Sequence, residues 1–219
     1  MSLTDTENGV LTVGSNLRNE PVQARSAARL EALLDAAASI VDEIGFERLT
    51  TAMVAERAGA SIGTVYRYFP DRIALLQALG ARNFDRVIER VGAEVVNPAH
   101  ENWFTALSAS FGVLVVAFQS EPGFRGLRVG DVIDLRPAPT ERTYKSLIAE
   151  RLLDGLVERF GIEVTDEVRF TFDASVEISE ALAVRSFSRK AEGEEQYLAL
   201  GQQIVYGLLA PYFGDVAAA

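Results

Sequence analysis

The apolar residues of this chain recur with the period of an α-helix along most of its length. From Arg25 onward, Leu33, Ala37, Ile40 and Ile44 fall on one helical face, because residues three and four apart are neighbours at 3.6 residues per turn. No segment has the alternating pattern that is typical of a β-strand. The pattern therefore predicts an all-α fold of about nine helices.

Glycine, proline and capping residues divide this pattern into segments. We expect Gly45 to end the first helix, Thr50 or Thr51 to cap the second, Gly59 to end it and Ser61 to cap the third. The pattern predicts the later helices at 71–96, 98–120, 124–134, 139–160, 165–190 and 192–213. Residues 1–22 are polar and aperiodic, and they are interpreted as a flexible arm.

The second and third helices have the spacing of a helix-turn-helix. Ala55 is small where two helices would cross, Gly59 tolerates a left-handed turn four residues later, and Val65 is an apolar anchor six residues beyond. This spacing predicts a DNA-binding head at 23–72 and a helical body at 73–219. An ordinary corner between two helices is the plainer alternative, because many helical hairpins contain alanine and glycine.

The charge of the chain modifies this picture. The net charge is −10, and residues 1–72 carry seven Arg against ten Asp and Glu. The head is therefore close to neutral, so DNA binding would depend on a few well-placed arginines and on helix N-termini.

The amino-acid composition also limits the cellular compartment and the kinds of chemistry that are expected of this protein. Cysteine is absent, which excludes disulfides and cysteine nucleophiles and fits a reducing compartment. The longest strongly apolar run, 113–118, is far too short to span a bilayer, and the N-terminus has no secretory-signal pattern. We therefore expect a cytoplasmic protein without a membrane partner.

Residues 25–78 resemble the head of the tetracycline-repressor (TetR) family of transcriptional regulators. The matching residues are Gly45-Phe46, Leu49-Thr50-Thr51, Val54-Ala55, Ala58-Gly59, Ser61, Gly63-Thr64-Val65-Tyr66, Tyr68-Phe69 and Leu75-Leu76. The resemblance implies a regulator, by default a repressor, that binds a palindromic double-stranded DNA operator as a homodimer. It also implies release of the operator by a small-molecule effector, with no cofactor.

The resemblance assigns roles to individual residues of the head. Phosphate contacts are expected from Thr50, Thr51, Tyr66, Tyr68 and Arg72, where Arg72 replaces the lysine that is usual in the family. The expected base-reading face consists of Ser61, Ile62, Gly63, Thr64 and Arg67. Arg25 and Arg29 would reach phosphate or the adjacent minor groove.

Ile62 departs from the family, which often has Lys, Arg or Gln at this position. An isoleucine contacts a thymine methyl but makes no bidentate contact to guanine, so Arg67 is the main candidate for guanine, and Ile62 and Thr64 favour thymine. Partial burial of Ile62 against the first helix is an equally good interpretation.

The body has an aromatic-rich stripe that would be either plain core or, by the resemblance, the wall of an effector pocket. The apolar candidates for the wall are Phe104, Leu107, Phe111, Val115 and Phe118. The polar candidates are Arg128, Asp131, Tyr144, Arg151, Ser175 and Ser179. The apolar content favours a hydrophobic or aromatic effector.

The last two helices combine small and branched side chains, which permits close packing. The resemblance implies that they pair with a second copy of the chain. The expected interface residues are Ala174, Ile178, Ala181, Leu182, Arg185, Leu200, Ile204, Gly207 and Leu208.

Enzyme interpretations have little support in the sequence. Residues 59–63 read Gly-Ala-Ser-Ile-Gly, the nucleophile-elbow pattern, but a helix and not a strand precedes them. His100 is the one histidine of the chain, which is too few for a carboxylate-bridged metal centre. No catalytic or metal-binding residue is therefore predicted. The remaining alternative is a helical ligand-binding or adaptor protein whose DNA-binding head is vestigial.

Overall fold

The computed structural model describes residues 24–130 and 144–216, and within them it contains nine α-helices and no strand. The first part forms α1 (Ala24–Ile44), a 3-10 helix (Phe46–Arg48), α2 (Thr51–Arg57), α3 (Ile62–Tyr68) and α4 (Arg72–Val95). The second part forms α5 (Trp103–Ser120), α6 (Phe124–Val129), α7 (Tyr144–Phe160), α8 (Asp166–Phe187) and α9 (Glu195–Phe213). The predicted all-α fold is confirmed.

Side-chain caps fix where most of these helices begin. The side-chain oxygens of Thr50, Ser61, Asp71 and Thr165 each accept a hydrogen bond from the backbone N–H three residues later. Each cap satisfies one of the N–H groups that a helix leaves without an internal partner. The cap of α2 is Thr50 and not Thr51.

Several predicted boundaries differ from the structure, and the eighth helix ends at Phe187 and not at 190. The fifth helix begins at Trp103 and not at 98, because Asn102 and Thr105 form a reciprocal capping box there. The ninth begins at Glu195 and not at 192, because Gly193 has a φ of +84°. The sixth ends at Val129, and residues 131–134 that the pattern assigned to it lie outside the described residues.

Two hydrophobic clusters form the core, and α4 contributes to both. The first cluster joins α1, α2 and α3 to Leu75, Leu76 and Leu79 near the start of α4. The second joins α5, α7, α8 and α9 to Val87 and Val91 farther along α4. A displacement of α4 therefore disturbs the packing of both clusters.

Helix α6 lies unusually close to α1 because glycines face that contact. A Cβ atom on Gly126 would lie 2.8 Å from Cγ1 of Val41, and one on Gly130 would overlap the ring of Phe46. The carboxylate of Asp42 on α1 accepts the N–H of Gly123 at 3.0 Å. Burial raises the pKa of Asp42, and this hydrogen bond opposes the increase. The body therefore contacts the first helix directly through α6.

Helix α5 is long and apolar enough to cross a membrane, judged by length and composition alone. In the structure, Trp103, Ala106, Leu107, Ala117 and Phe118 are buried against other helices. The Trp103 indole stacks on Tyr206 and donates to the carbonyl oxygen of Gly214. Helix α5 therefore packs against the other helices of the body as a core helix.

The glycine contact between α6 and α1 gives a stability prediction. We expect Gly126→Ala to lower the free energy of unfolding by up to about 2 kcal/mol, because overpacking costs about 1–3 kcal/mol and the better helix propensity of alanine offsets about 1 kcal/mol. Gly112→Ala in α5 is the matched control, since no atom lies within 4 Å of its added Cβ, and it should stabilise the protein slightly. Urea denaturation of both variants tests this, and a stabilised Gly126→Ala would contradict the close contact.

Candidate nucleic-acid interface and internal cavity

The turn between α2 and α3 is a Schellman motif centred on Gly59. Gly59 has a φ of +59°, its N–H donates to Glu56 O at 3.1 Å, and the N–H of Ala60 donates to Ala55 O at 2.8 Å. Ala55 and Val65 are buried where the two helices cross. This geometry presents the outer face of α3 to solvent on a rigid support.

The outer face of α3 carries the residues that the sequence assigned to base reading. Ser61, Gly63 and Arg67 are exposed, and Ile62 is 44% exposed, so its side chain is accessible on this face. The Ser61 hydroxyl accepts the N–H of Thr64 and lies 2.9 Å from the Thr64 hydroxyl, so both form the cap of α3. The face is short, mixed in polarity and carries one positive charge.

The two tyrosines of α3 have different surroundings. Tyr66 is 42% exposed, and its hydroxyl accepts a hydrogen bond from the Thr51 hydroxyl at the start of α2. Tyr68 is 1% exposed, and its hydroxyl lies 2.8 Å from Ser26 Oγ and donates to the Ser26 carbonyl. The exposure of Tyr66 fits the expected phosphate contact. The hydroxyl of Tyr68 ties α3 to α1, and its phosphate contact stays a prediction.

The arginines expected to contact the DNA backbone also differ in their surroundings. Arg25 and Arg29 are exposed at the start of α1. Arg72 is half-buried, and its Nη1 donates to the carbonyl oxygens of Phe46 and Glu47 in the 3-10 helix. These bonds hold the Arg72 side chain against the head, whereas the other two arginines extend into solvent.

Arginines neutralise much of the acidic charge on α1. Arg57 makes two hydrogen bonds of 2.6 and 2.8 Å to the Glu43 carboxylate, and the hydrogen bond lowers the pKa of Glu43. Arg82 of α4 pairs with Asp35 at 2.7 Å and with Glu31 at 3.1 Å. The acidic charge of the head, which weighed against DNA in the sequence, is thus partly balanced within the fold.

An internal cavity lies between the long helices of the body. Its empty volume, which includes the opening to solvent, is about 760 Å³. Its wall is mostly apolar and comes from α4, α5, α7, α8 and α9. The lining residues are Val87, Val91, Phe104, Leu107, Ser108, Ser110, Phe111, Leu114, Ile148, Leu152, Ser175, Val176, Ser179, Glu180, Gly201, Gln202 and Val205.

The cavity includes some of the expected pocket residues and leaves others out. Phe104, Leu107, Phe111, Ser175 and Ser179 line it. Asp131 and the side chain of Tyr144 lie outside the described residues.

Four other expected pocket residues lie away from the cavity. Val115 is half-buried elsewhere on α5, and Phe118 is part of the core, where its ring stacks on Phe187 at 4.8 Å. Arg151 is exposed and packs its side chain over Gly92. Arg128 is buried at the end of α6. These four residues are not on the cavity wall, because helical period alone does not tell core contact from cavity wall, and an effector contact at any of them stays a prediction.

A buried ion pair lies at one side of the cavity. Nη2 of Arg128 contacts Oε1 of Glu180, and the side chains are 4% and 8% exposed. The Arg128 guanidinium also lies 4.8 Å from the ring centroid of Phe84 on α4. Glu180, which the sequence analysis missed, therefore connects the cavity wall to α6 and α4. Its signal in the sequence is a carboxylate on the inward-facing stripe of α8 that includes Phe172, Val176, Ala183 and Phe187.

Helices α8 and α9 form a pair whose outer face is open in the single chain. Ile178, Ala181, Leu200 and Gly207 are exposed, and Ala174, Ile204 and Leu208 are half-buried. Two of the expected interface residues have contacts within the chain. Leu182 packs 3.7 Å from the position of a Cβ on Gly201, and Arg185 pairs with Glu194 at 3.0 Å.

Comparison with known families matches both parts of the chain. The family described as "Bacterial regulatory proteins, tetR family" matches residues 33–79, and "Tetracyclin repressor-like, C-terminal domain" matches residues 101–213. The chain belongs to the tetracycline-repressor family. It is therefore a TetR-family transcriptional regulator, and members of this family are DNA-binding transcription factors.

Individual relatives agree with the family assignment. The chain is 33% identical over 94 residues to the HTH-type transcriptional repressor KstR of Rhodococcus jostii, a match covering 43% of this chain and 42% of that protein. The chain thus spans less than half the length of that curated relative.

Solved structures extend the likeness to the fold of the body. A TetR-family transcriptional regulator from Streptomyces coelicolor has a TM-score of 0.68 and 29% identity, over 84% of this chain and 97% of that chain. Thermus thermophilus FadR in complex with lauroyl-CoA has a TM-score of 0.57 and 20% identity, over 87% of this chain and 98% of that chain. At this identity, FadR shows similarity of fold alone.

The two tyrosines of α3 give a prediction for this TetR-family head. Tyr66→Phe should weaken operator binding about tenfold with little change in stability, because a hydroxyl–phosphate hydrogen bond contributes about 1.5 kcal/mol. Tyr68→Phe should lower the free energy of unfolding by about 0.5–1.5 kcal/mol and leave the affinity of the folded protein nearly unchanged. Fluorescence anisotropy with labelled duplex and urea denaturation provide the two measurements. The reverse pattern would place Tyr68 at the DNA interface.

Proposed function

We propose that this TetR-family regulator is a repressor that binds a palindromic operator as a homodimer and releases it when a small hydrophobic effector enters the cavity. The observation that carries the DNA-binding part is the exposed outer face of α3, held by a buried helix-turn-helix core. The repressor role is supported by the similarity to KstR. Such a protein would act in the cytoplasm, together with the DNA that it regulates.

Base recognition in this proposal depends on few residues. Arg67 is exposed and would donate two hydrogen bonds to guanine, while Ile62 and the methyl group of Thr64 would contact thymine methyl groups. Arg25, Arg29 and Tyr66 would contact phosphates and fix the register of α3 in the groove. Phosphate contacts position the head, whereas base contacts select the sequence.

Dimerisation follows from the short reach of one α3 helix. One recognition helix reads only a few base pairs, so useful specificity needs two helices about 34–36 Å apart on a palindromic site. The exposed apolar face of α8 and α9, including Ile178 and Leu200, is the surface proposed for the second copy. An exposed face of this kind is typical of a protein–protein contact.

Helix α4 is the proposed connection between effector and DNA. Val87 and Val91 line the cavity, and Leu75, Leu76 and Leu79 of the same helix belong to the cluster that supports α3. An effector that displaces α4 would change the separation of the two heads. A coupling free energy of about 1–3 kcal/mol would weaken operator binding about 5–150-fold.

The effector itself is proposed to be apolar in its main part, because the wall is predominantly aliphatic and aromatic. FadR, which shares the fold, is described in complex with lauroyl-CoA, a molecule with a long apolar chain. Reciprocity requires the operator to weaken effector binding by the same factor. Equal effector affinities of free and operator-bound protein would contradict this mechanism.

Selection of bound duplexes from a random DNA pool tests the DNA-binding proposal. We expect a palindromic site whose affinity falls steeply with salt, because phosphate contacts release counterions. Arg67→Ala should relax base preference at one position of each half-site, whereas Arg57→Ala, whose guanidinium is held by Glu43, should leave the preference unchanged. No enrichment at low salt would instead favour a ligand-binding or adaptor protein with a vestigial head.

A further inference from the structure

Three of the four serine hydroxyl groups on the described cavity wall already donate their hydrogens. Ser175 Oγ donates to Phe172 O at 2.7 Å, Ser179 Oγ donates to Val176 O at 2.9 Å, and Ser110 Oγ donates to Ala106 O at 2.8 Å. A serine hydroxyl has one hydrogen and two lone pairs, so each of these oxygens is left as an acceptor toward the cavity.

The remaining polar groups of the wall do not offset this excess of hydrogen-bond acceptors. The Ser108 hydroxyl and the Gln202 amide can each donate or accept, so neither of them discriminates between ligand groups. The Glu180 carboxylate adds a negative charge beside Ser179. The described wall therefore favours a ligand that brings hydrogen-bond donors.

The positions of the two charges of the buried ion pair also favour a ligand that donates hydrogen bonds. Glu180 lines the cavity, and Arg128 lies behind it toward the Phe84 ring of α4. A ligand in the cavity therefore meets the negative charge before the positive one. The Glu180 carboxylate on the wall would repel an anionic group, whereas a cation would add a further partner to Glu180 in a medium of low dielectric constant.

We infer that the effector is an apolar molecule that ends in a cationic or hydrogen-bond-donating group, and that Glu180 is the residue that recognises this end. This inference rests on the proposed function, because it takes the cavity as the effector site. It goes further by excluding molecules whose buried end is a carboxylate. Glu180 becomes a specificity-determining residue, and Ser175 and Ser179 accept the remaining donor hydrogens.

Three probes with the same ten-carbon chain test the inference: decylamine, 1-decanol and decanoate, each below its aggregation concentration. Calorimetry measures their affinities, and the emission of Trp103 reports occupancy, because this single tryptophan lies 5.5 Å from the ring centroid of the cavity residue Phe104. We expect decylamine to bind at least about tenfold more tightly than decanoate, a difference of about 1.4 kcal/mol, with 1-decanol between them.

The net charge of −10 attracts cations anywhere on the surface, so the preference needs a control at constant charge. The double variant Arg128→Met/Glu180→Gln removes one charge of each sign and leaves the net charge unchanged. It also avoids leaving the buried charge of Arg128 without the Glu180 carboxylate, as Glu180→Gln alone would. We expect this variant to keep its helical circular dichroism and to bind decylamine and decanoate with nearly equal affinity.

The outcomes separate the inference from the proposed function. Decanoate binding at least as tightly as decylamine, or a preference for decylamine that persists in the double variant, would overturn the inference while the cavity remains an effector site. Failure of all three probes to bind would overturn the inference and the proposed effector site together. The operator selection described above is independent of each of these results.

Discussion

The packing of both hydrophobic clusters depends on helix α4, because this one continuous helix supplies side chains to each of them. Leu75, Leu76 and Leu79 pack under the helix-turn-helix, and Val87 and Val91 form part of the cavity wall. Close-packed interiors transmit displacements because they contain little free space into which side chains can relax. The head therefore shares part of its core with the body through α4. This shared helix gives the fold a physical route for regulation before any ligand is specified.

The local signals in the sequence were sufficient for the head. Thr50, Ser61 and Gly59 specify two helix starts and a turn through chemistry within a few residues, and the structure has all three where the pattern predicted them. Residues two apart lie about 200° apart around a helix, which is why Tyr66 is exposed and Tyr68 is buried. Arg128 and Glu180 are different, because they are far apart in sequence and no local pattern pairs them.

The body illustrates why cavities are harder to predict than cores. Phe104 and Phe111 line the cavity, whereas Phe118, on the same stripe of α5, stacks on Phe187. The helical period places all three toward the interior, and only the positions of neighbouring helices decide which side chain meets empty space. The same holds for α6, where Gly126 and Gly130 look like weak helix formers in the sequence but permit the close approach to Val41 and Phe46. Tertiary packing explains these residues, and their local propensities do not.

The arginines of α4 connect head and body through charge as well as through packing. Arg82 and Arg86 both contact Glu31 of α1, and Arg86 and Arg90 both contact Glu121 after α5. Most of these side chains are accessible to solvent, so dissolved ions screen their attraction over a Debye length of about 8 Å at physiological ionic strength. The buried pair of Arg128 and Glu180 is shielded from this screening. A rise in ionic strength would therefore weaken the ion pairs between α4 and α1. Part of the salt dependence of operator affinity would then originate inside the protein and not at the phosphates.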